Sequence, residues 1–125
     1  MESGVHKLAV ICFLIVGLSH IVQPRTWVDF FISLREKGKI GVFITAFIHL
    51  PLGVLIVGFH NVWTGIPCIL TVMGWCWVLK SFLYFVFPSV GLRGLALVSV
   101  EHAGRFRIAG VFLLVLGLVL SYPLL

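Results

Sequence analysis

Acidic residues are scarce in this chain, with four Asp and Glu among 125 residues against nine Lys and Arg. Charged residues make up only 10% of the sequence and hydrophobic residues 61%, whereas soluble domains are about a quarter charged. This composition predicts an integral membrane protein that forms one transmembrane domain over residues 1–125. The net charge of +5 then reports on topology and contact with membrane lipid, and we expect no nucleic-acid partner.

The sequence also lacks the usual parts of catalytic sites. It contains no GxSxG or GxxxxGK[ST] motif, and none of its acidic residues falls within a long apolar stretch. Its three cysteines show no CxxC spacing, so we expect small buried hydrophobic side chains rather than a disulfide or a metal site. These absences favour a protein that is not an enzyme.

Long apolar stretches occur four times. A helix that rises ~1.5 Å per residue crosses a hydrocarbon core of about 30 Å in about 20 residues, so the second and third stretches are long enough and the first is short for a full crossing. The fold class is therefore all-α, a bundle of four transmembrane helices. The predicted spans cover residues 8–22, 40–59, 68–87 and 108–120.

A shorter segment, residues 26–37, has a different pattern. Trp27, Phe30 and Phe31 recur at helical spacing, and polar residues occupy the opposite face. We expect an amphipathic helix that lies in the membrane interface between the first two spans, with its aromatic side chains as anchors toward lipid. Trp63, in the connection between the second and third spans, suits a further interfacial anchor.

The distribution of positive charge predicts the topology. Seven lysines and arginines lie in the connections 23–39 and 88–107, and the opposite side of the membrane carries Lys7 alone. The positive-inside rule then predicts a multi-pass protein of the cell (inner) membrane, with both connections in the cytoplasm and both termini outside.

Ionisable side chains inside a span mark functional hypotheses, because a charge in the bilayer is costly. His49 and Lys80 lie nine and seven residues from span ends that face the same side, which places both at a depth of roughly 10 to 14 Å. His20 is shallower on that side. The sequence predicts a ligand pocket in the cytoplasmic half of the bundle, formed by His20, His49, Lys80, Glu101 and His102.

Simpler interpretations of these residues stay open. Lys80 could extend its long stem to the headgroups or pair with another group, and His49 could form a hydrogen bond to a neighbouring helix. Pro51 removes the helix partner of the Phe47 carbonyl and predicts a helix kink beside His49.

The cofactor is not determined by the sequence. A quinone head group in this pocket, or a single haem or other porphyrin on His49, are alternatives to no cofactor at all. A pair of haems would require two partner histidines on a facing helix, and His20 is the one histidine in another predicted span.

An internal repeat and a family resemblance complete the prediction. The first span, Pro24 and Gly41-Val42-Phe43 are followed, in the same order, by the third span, Pro88 and Gly110-Val111-Phe112. Four spans in 125 residues, with an interfacial segment between the first two, resemble the DoxX-like group of small bacterial membrane proteins. The resemblance implies a four-helix bundle, sometimes linked to redox or quinone-related systems, and it assigns no functional residue.

Three functions fit these observations. The leading hypothesis is a non-catalytic accessory or interaction subunit that binds other membrane protein subunits or a second copy of itself. The alternative is a redox-associated or lipophilic-ligand-binding protein that uses the histidine and lysine pocket. A small oligomeric transporter is the third.

Overall fold

The structure, a computed structural model, describes residues 2–124 and their side chains from Ser3 onward. Within this range the chain forms six α-helices and two short 3-10 helices, and it contains no strand. Four of the α-helices are long and apolar enough to cross a membrane, which confirms the predicted all-α fold at that level. The α-helices are α1 (Glu2–Val22), α2 (Pro24–Glu36), α3 (Lys39–Phe59), α4 (Pro67–Val86), α5 (Pro88–Ala96) and α6 (Ala103–Ser121).

The bounds of two long helices differ from the predicted spans. α1 begins at Glu2 rather than near residue 8, and α6 begins at Ala103 rather than near residue 108. The additional turns carry histidine, lysine and arginine side chains, which lower the hydropathy but are compatible with a helix. Hydropathy therefore marks the apolar part of a helix, and the helix extends beyond it.

Each short helix follows a proline that ends the long helix before it. Gln23 and Phe87 precede Pro24 and Pro88, and their backbone angles are similar (φ −126°, ψ 52° and φ −125°, ψ 74°). The residue before a proline is disfavoured in the helical region, and proline has no N–H to continue the hydrogen-bond ladder. The order of long, short and long helix thus occurs in residues 2–59 and again in residues 67–121.

The long helices pack in two pairs, α1 against α6 and α3 against α4. Glycines bring the backbones close together in both pairs. A Cβ atom built at Gly17 would lie 2.7 Å from the Leu114 nitrogen, and one at Gly74 would lie 2.7 Å from the Cβ of Ile56. Small residues permit the close van der Waals packing that joins helices in membranes.

The two ends of the bundle have different cores. The short-helix end carries α2 and α5, whose buried Leu34 and Leu95 pack with Val42 of α3. The terminal end carries the start of α1, the α3–α4 connection and the end of α6, where Leu70 and Leu120 belong to the larger hydrophobic cluster. Both ends are therefore closed by side chains from several helices.

The aromatic face of α2 is turned mainly toward the protein, which corrects the expectation that these side chains point to lipid. Trp27 is only half-buried but hydrogen-bonds to α1, and Phe31 stacks on Phe106 of α6 with ring centroids 5.6 Å apart. Phe30 and Trp63 are exposed, and their role as interfacial anchors stays a prediction. Helical periodicity shows which side chains share a face, but lipid and protein can cover that face equally well.

Candidate functional site

At the short-helix end, α2 to α6 surround a cavity of about 170 Å³, named here the Lys80 cavity. Arg35 of α2 donates a hydrogen bond to the Val98 carbonyl (2.7 Å), which ties α2 to the segment that follows α5 and holds Val98 in the cavity wall. The other lining residues include Phe31, Thr45, Lys80, Tyr84, Gly94 and Phe106.

Lys80 is the charged residue among those that line the cavity. Its Nζ lies 5.4 Å from the centroid of the Tyr84 ring, which is a cation–π contact. Among the described side chains, those of residues 3–124, the only ion pair joins the exposed Arg25 and Asp29, so no carboxylate among them neutralises Lys80. Because a lysine in a membrane-length helix is costly, a cation–π contact of about 1–2 kcal/mol compensates its charge only in part.

His49 and Thr45 of α3 lie next to Lys80. The Thr45 hydroxyl donates to the Gly41 carbonyl (2.9 Å), and His49 Nδ1–H donates to the Thr45 carbonyl (2.8 Å). Because a carbonyl only accepts, this bond requires the proton on Nδ1 and leaves Nε2 of the neutral imidazole as an acceptor. His49 also lies close enough to Lys80 to interact with it electrostatically. The structure thus brings these two predicted site residues together.

Glycines on α5 bring its backbone close to Tyr84. A Cβ atom at Gly94 would lie 2.9 Å from the Tyr84 hydroxyl oxygen, and one at Gly91 would lie 3.2 Å from Cδ2 of the same ring. Any side chain at these two positions would crowd the Tyr84 ring. The Gly-Leu-Arg-Gly sequence of α5 therefore allows Tyr84 to form one wall of the cavity.

His20 lies apart from Lys80, in an aromatic stack on α1. Its ring stacks on Trp27 with centroids 4.1 Å apart, and its Nδ1–H donates to the Val16 carbonyl (2.8 Å). Phe106 contacts the His20 ring at 6.0 Å and also lines the Lys80 cavity. The described side chains make no direct contact between His20 and Lys80, so His20 belongs to the wall beside the cavity.

Glu101 and His102 lie outside the cavity. Both are exposed in a short 3-10 helix, where His102 Nδ1 is 2.6 Å from the Ser99 hydroxyl. Neither residue contacts Lys80 or His49 within the part of the chain that the structure describes. Of the five residues predicted for the pocket, Lys80 lines the cavity, His49 lies within electrostatic range of Lys80, and the other three lie elsewhere.

Pro51 lies inside α3, and the helix continues through it to Phe59. The Ser81 hydroxyl of α4 donates to the Ala46 carbonyl at 3.4 Å. This carbonyl is one residue before the Phe47 carbonyl, which Pro51 deprives of its helix partner. Ser81 therefore joins α4 to α3 close to Pro51.

Two cavity residues, Thr45 and Tyr84, are absent from the sequence prediction. Both are neutral and polar within membrane-length helices, and such residues are common there without a ligand. Tyr84 precedes Pro88 by four residues, just as His20 precedes Pro24. This correspondence between the halves is the one signal in the sequence that singles out Tyr84.

A second group of buried histidines lies at the terminal end. His6 Nε2–H donates to the Leu120 carbonyl (2.6 Å), and His60 Nε2 lies 3.2 Å from the Pro67 carbonyl. The two rings meet edge to face with centroids 5.2 Å apart. These contacts join α1 to α6 and close the α3–α4 connection, so they have a clear structural role.

Two further observations bear on ligands. Among the side chains that the structure describes, from Ser3 to Leu124, no three His, Cys, Asp or Glu form a group that could hold a metal ion. The Lys80 cavity is also smaller than the roughly 300–1,000 Å³ of pockets for drug-sized ligands. It has room for a small head group rather than a porphyrin.

The fold and the site together define an all-helical protein with four membrane-length helices and a cationic cavity. The chain matches no family model, no curated protein and no solved structure.

Proposed function

We propose that this protein spans the cell membrane and binds the polar head group of a membrane-soluble ligand in the Lys80 cavity. The observation that carries the proposal is the position of Lys80, which belongs to a membrane-length helix, lines a cavity and has no carboxylate partner among the side chains of residues 3–124. A head group with acceptor oxygen atoms would supply the missing partner. The proposal requires no catalytic step.

The other cavity residues favour the same ligand chemistry. Tyr84 and Lys80 both line the cavity, and the Tyr84 hydroxyl and the Lys80 ammonium are both hydrogen-bond donors. Phe31 and Phe106 provide an apolar aromatic wall. A carboxylate and a quinone carbonyl both present acceptor oxygens of the right size. The Lys80 cavity is too small to enclose a porphyrin, and His49 is not among its lining residues. A porphyrin on His49 stays a prediction.

The topology belongs to this proposal as well. The cationic connections 23–39 and 88–107 would lie in the cytoplasm, with both termini outside and α2 in the interface. The Lys80 cavity would then open in the cytoplasmic half of the bilayer. Membership of the DoxX-like group stays a prediction.

An accessory role beside other subunits also stays a prediction. Many large apolar side chains are exposed on the four long helices. Contact with lipid alone requires such a surface, so it does not favour a protein partner or a second copy. The same holds for an oligomeric transporter, for which no described contact gives specific support.

Saturation-transfer NMR on the full chain in lipid nanodiscs tests the proposal. Benzoate and duroquinone serve as small head-group probes, and benzyl alcohol serves as the neutral control. We expect binding of an acceptor probe that falls about tenfold in Lys80→Met, because hydrogen bonds to charged groups contribute about 1.5–3 kcal/mol. Lys7→Met, the same change at an exposed lysine, should bind normally. Equal binding to Lys80→Met and the wild type would contradict the proposal, as would no binding of either probe.

A further inference from the structure

A shallow apolar groove with a volume of about 440 Å³ runs between α4 and α6. These two helices belong to different packed pairs, so a gap is left where they face each other. Ile69, Val72 and Met73 line the groove from α4, and Phe112 and Leu116 line it from α6. Ile69, Val72 and Phe112 are exposed, which means that the groove is open along its length.

The groove and the Lys80 cavity are two separate pockets, and both receive residues from α4 and α6, whose facing surfaces are named here the α4–α6 seam. Ile69, Met73, Cys76 and Lys80 are separated by four, three and four residues, so they share one face of α4. Met73 and Lys80 are about 10 Å apart along the helix axis at ~1.5 Å per residue. On α6, which runs in the opposite direction, Phe106 lines the cavity and Leu116 lines the groove. An elongated ligand could therefore occupy both at once.

We propose that this seam binds a single-chain fatty acid anion, with its carboxylate at Lys80 and its hydrocarbon chain in the α4–α6 groove. This inference rests on the proposed function and names its ligand class. Charge complementarity selects the carboxylate, because Lys80 has no carboxylate partner among the side chains of residues 3–124. Two opposite charges that pair in a medium of low dielectric constant offset part of each other's desolvation cost.

The shape of the groove sets the number of chains and the route of entry. One apolar groove lies on the α4–α6 seam beside the cavity, so the proposed ligand has one chain rather than the two of a phospholipid. Its exposed lining residues lie in membrane-length helices. The ligand would therefore enter sideways from the bilayer, and no aqueous path is required.

Photo-crosslinking on the full chain in nanodiscs tests the inference, with palmitate that carries a mid-chain diazirine as the probe. We expect crosslinks on Val72, Met73, Phe112 or Leu116, located by mass spectrometry of the digested protein. Lys80→Met should lower the labelling about tenfold, the effect of one lost charge-assisted hydrogen bond. Methyl palmitate, which carries no charge, should not compete with the probe.

A groove variant separates this inference from the proposed function. Val72→Trp should lower palmitate labelling several-fold while leaving benzoate binding unchanged. Ile15→Trp, a similar change on the exposed face of α1, should alter neither and serves as the matched control. Selective loss with Val72→Trp supports the inference.

Other outcomes overturn it in distinguishable ways. Lys80-dependent benzoate binding without crosslinks in the groove would leave the proposed function standing and refute the groove. Competition by methyl palmitate, or stronger competition by a decyl quinone than by palmitate, would refute the fatty acid as the occupant. If neither benzoate nor palmitate binds, the inference is refuted, and so is a carboxylate as the head group in the proposed function.

Discussion

The two halves of the chain place different side chains at corresponding positions. Counting back eight residues from each proline gives Val16 in the first half and Lys80 in the second, and counting forward three gives Trp27 and Gly91. Trp27 stacks on His20 and fills the space beside it. Gly91 has no side chain to cover Tyr84, whose ring lines the Lys80 cavity.

One helical scaffold can therefore be filled by a side chain in one half and leave a cavity in the other. The proline breaks and the glycine contacts occur in both halves, so the backbone is supported in the same way twice. The side chains then differ between the halves. In the first half Trp27 covers an apolar helix pair, whereas the second half has glycines and Lys80 at this end of the bundle. A repeat provides such a difference without a change of fold.

The largest expected effect tests what the two helix pairs have in common. Gly110→Val and Gly74→Val should each lower the free energy of unfolding by about 3 kcal/mol, because the added atoms would overlap the facing helix. Gly58→Val, at an open position on α3, is the matched control. Unfolding titrations in mixed detergent micelles measure the difference. If Gly58→Val is as harmful as the other two, the glycine contacts do not hold the pairs together.

An exchange of charge between the halves should give the next largest effect. Val16→Lys should destabilise the protein by about 2 kcal/mol. A lysine in the bilayer is costly, and the stacked Trp27 ring leaves it little space. Lys80→Met should leave the stability unchanged or raise it, because an uncompensated charge is removed. The same unfolding titrations measure both. A stable Val16→Lys protein would show that the two sides are not different in the way described.

Filling the open side should affect binding more than stability. Gly94→Leu places a side chain against the Tyr84 hydroxyl and into the cavity. We expect benzoate binding to weaken about tenfold, equivalent to about 1.4 kcal/mol. Gly104→Leu, at an open position on α6, is the control. Normal benzoate binding by Gly94→Leu would place the probe elsewhere on the protein.

The smallest expected effect concerns the hydrogen bond of Trp27. Trp27 Nε1–H donates to the Ser19 hydroxyl at 2.9 Å. Ser19→Ala should lower the free energy of unfolding by only about 0.6 kcal/mol, the usual contribution of a polar contact between membrane helices. Ser33→Ala, at an exposed position on α2, should have no effect. A loss of more than 2 kcal/mol in Ser19→Ala would give this hydrogen bond a larger role than the stack.

Much of the fold and one pair of site residues could be predicted from the sequence. Hydropathy gives the four long helices, since each must be apolar over most of its length. The number of residues from the helix ends places His49 and Lys80 at a similar depth in the membrane. They lie close together because their helices run in opposite directions and pack as a pair. Both predictions depend only on position along a helix axis.

The other side-chain contacts depend on how each helix is rotated about its own axis, which the sequence does not determine. His20 lies near the depth of the cavity, but its ring stacks on Trp27 and does not line the cavity. The aromatic residues of α2 share a face whether lipid or α6 covers it, and Phe31 packs on α6. Thr45 and Tyr84 are neutral, so hydropathy does not distinguish them from ordinary polar residues in a helix.

The most direct test of the central claim is a distance between the ligand and Lys80. Solid-state NMR can measure the coupling between palmitate labelled with ¹³C at its carboxylate and the full chain labelled with ¹⁵N at its lysine side chains. We predict a carboxylate–ammonium contact within about 4 Å, the range of an ion pair, that disappears in Lys80→Met. Bound palmitate without this coupling, or a coupling that persists in Lys80→Met, would contradict the account.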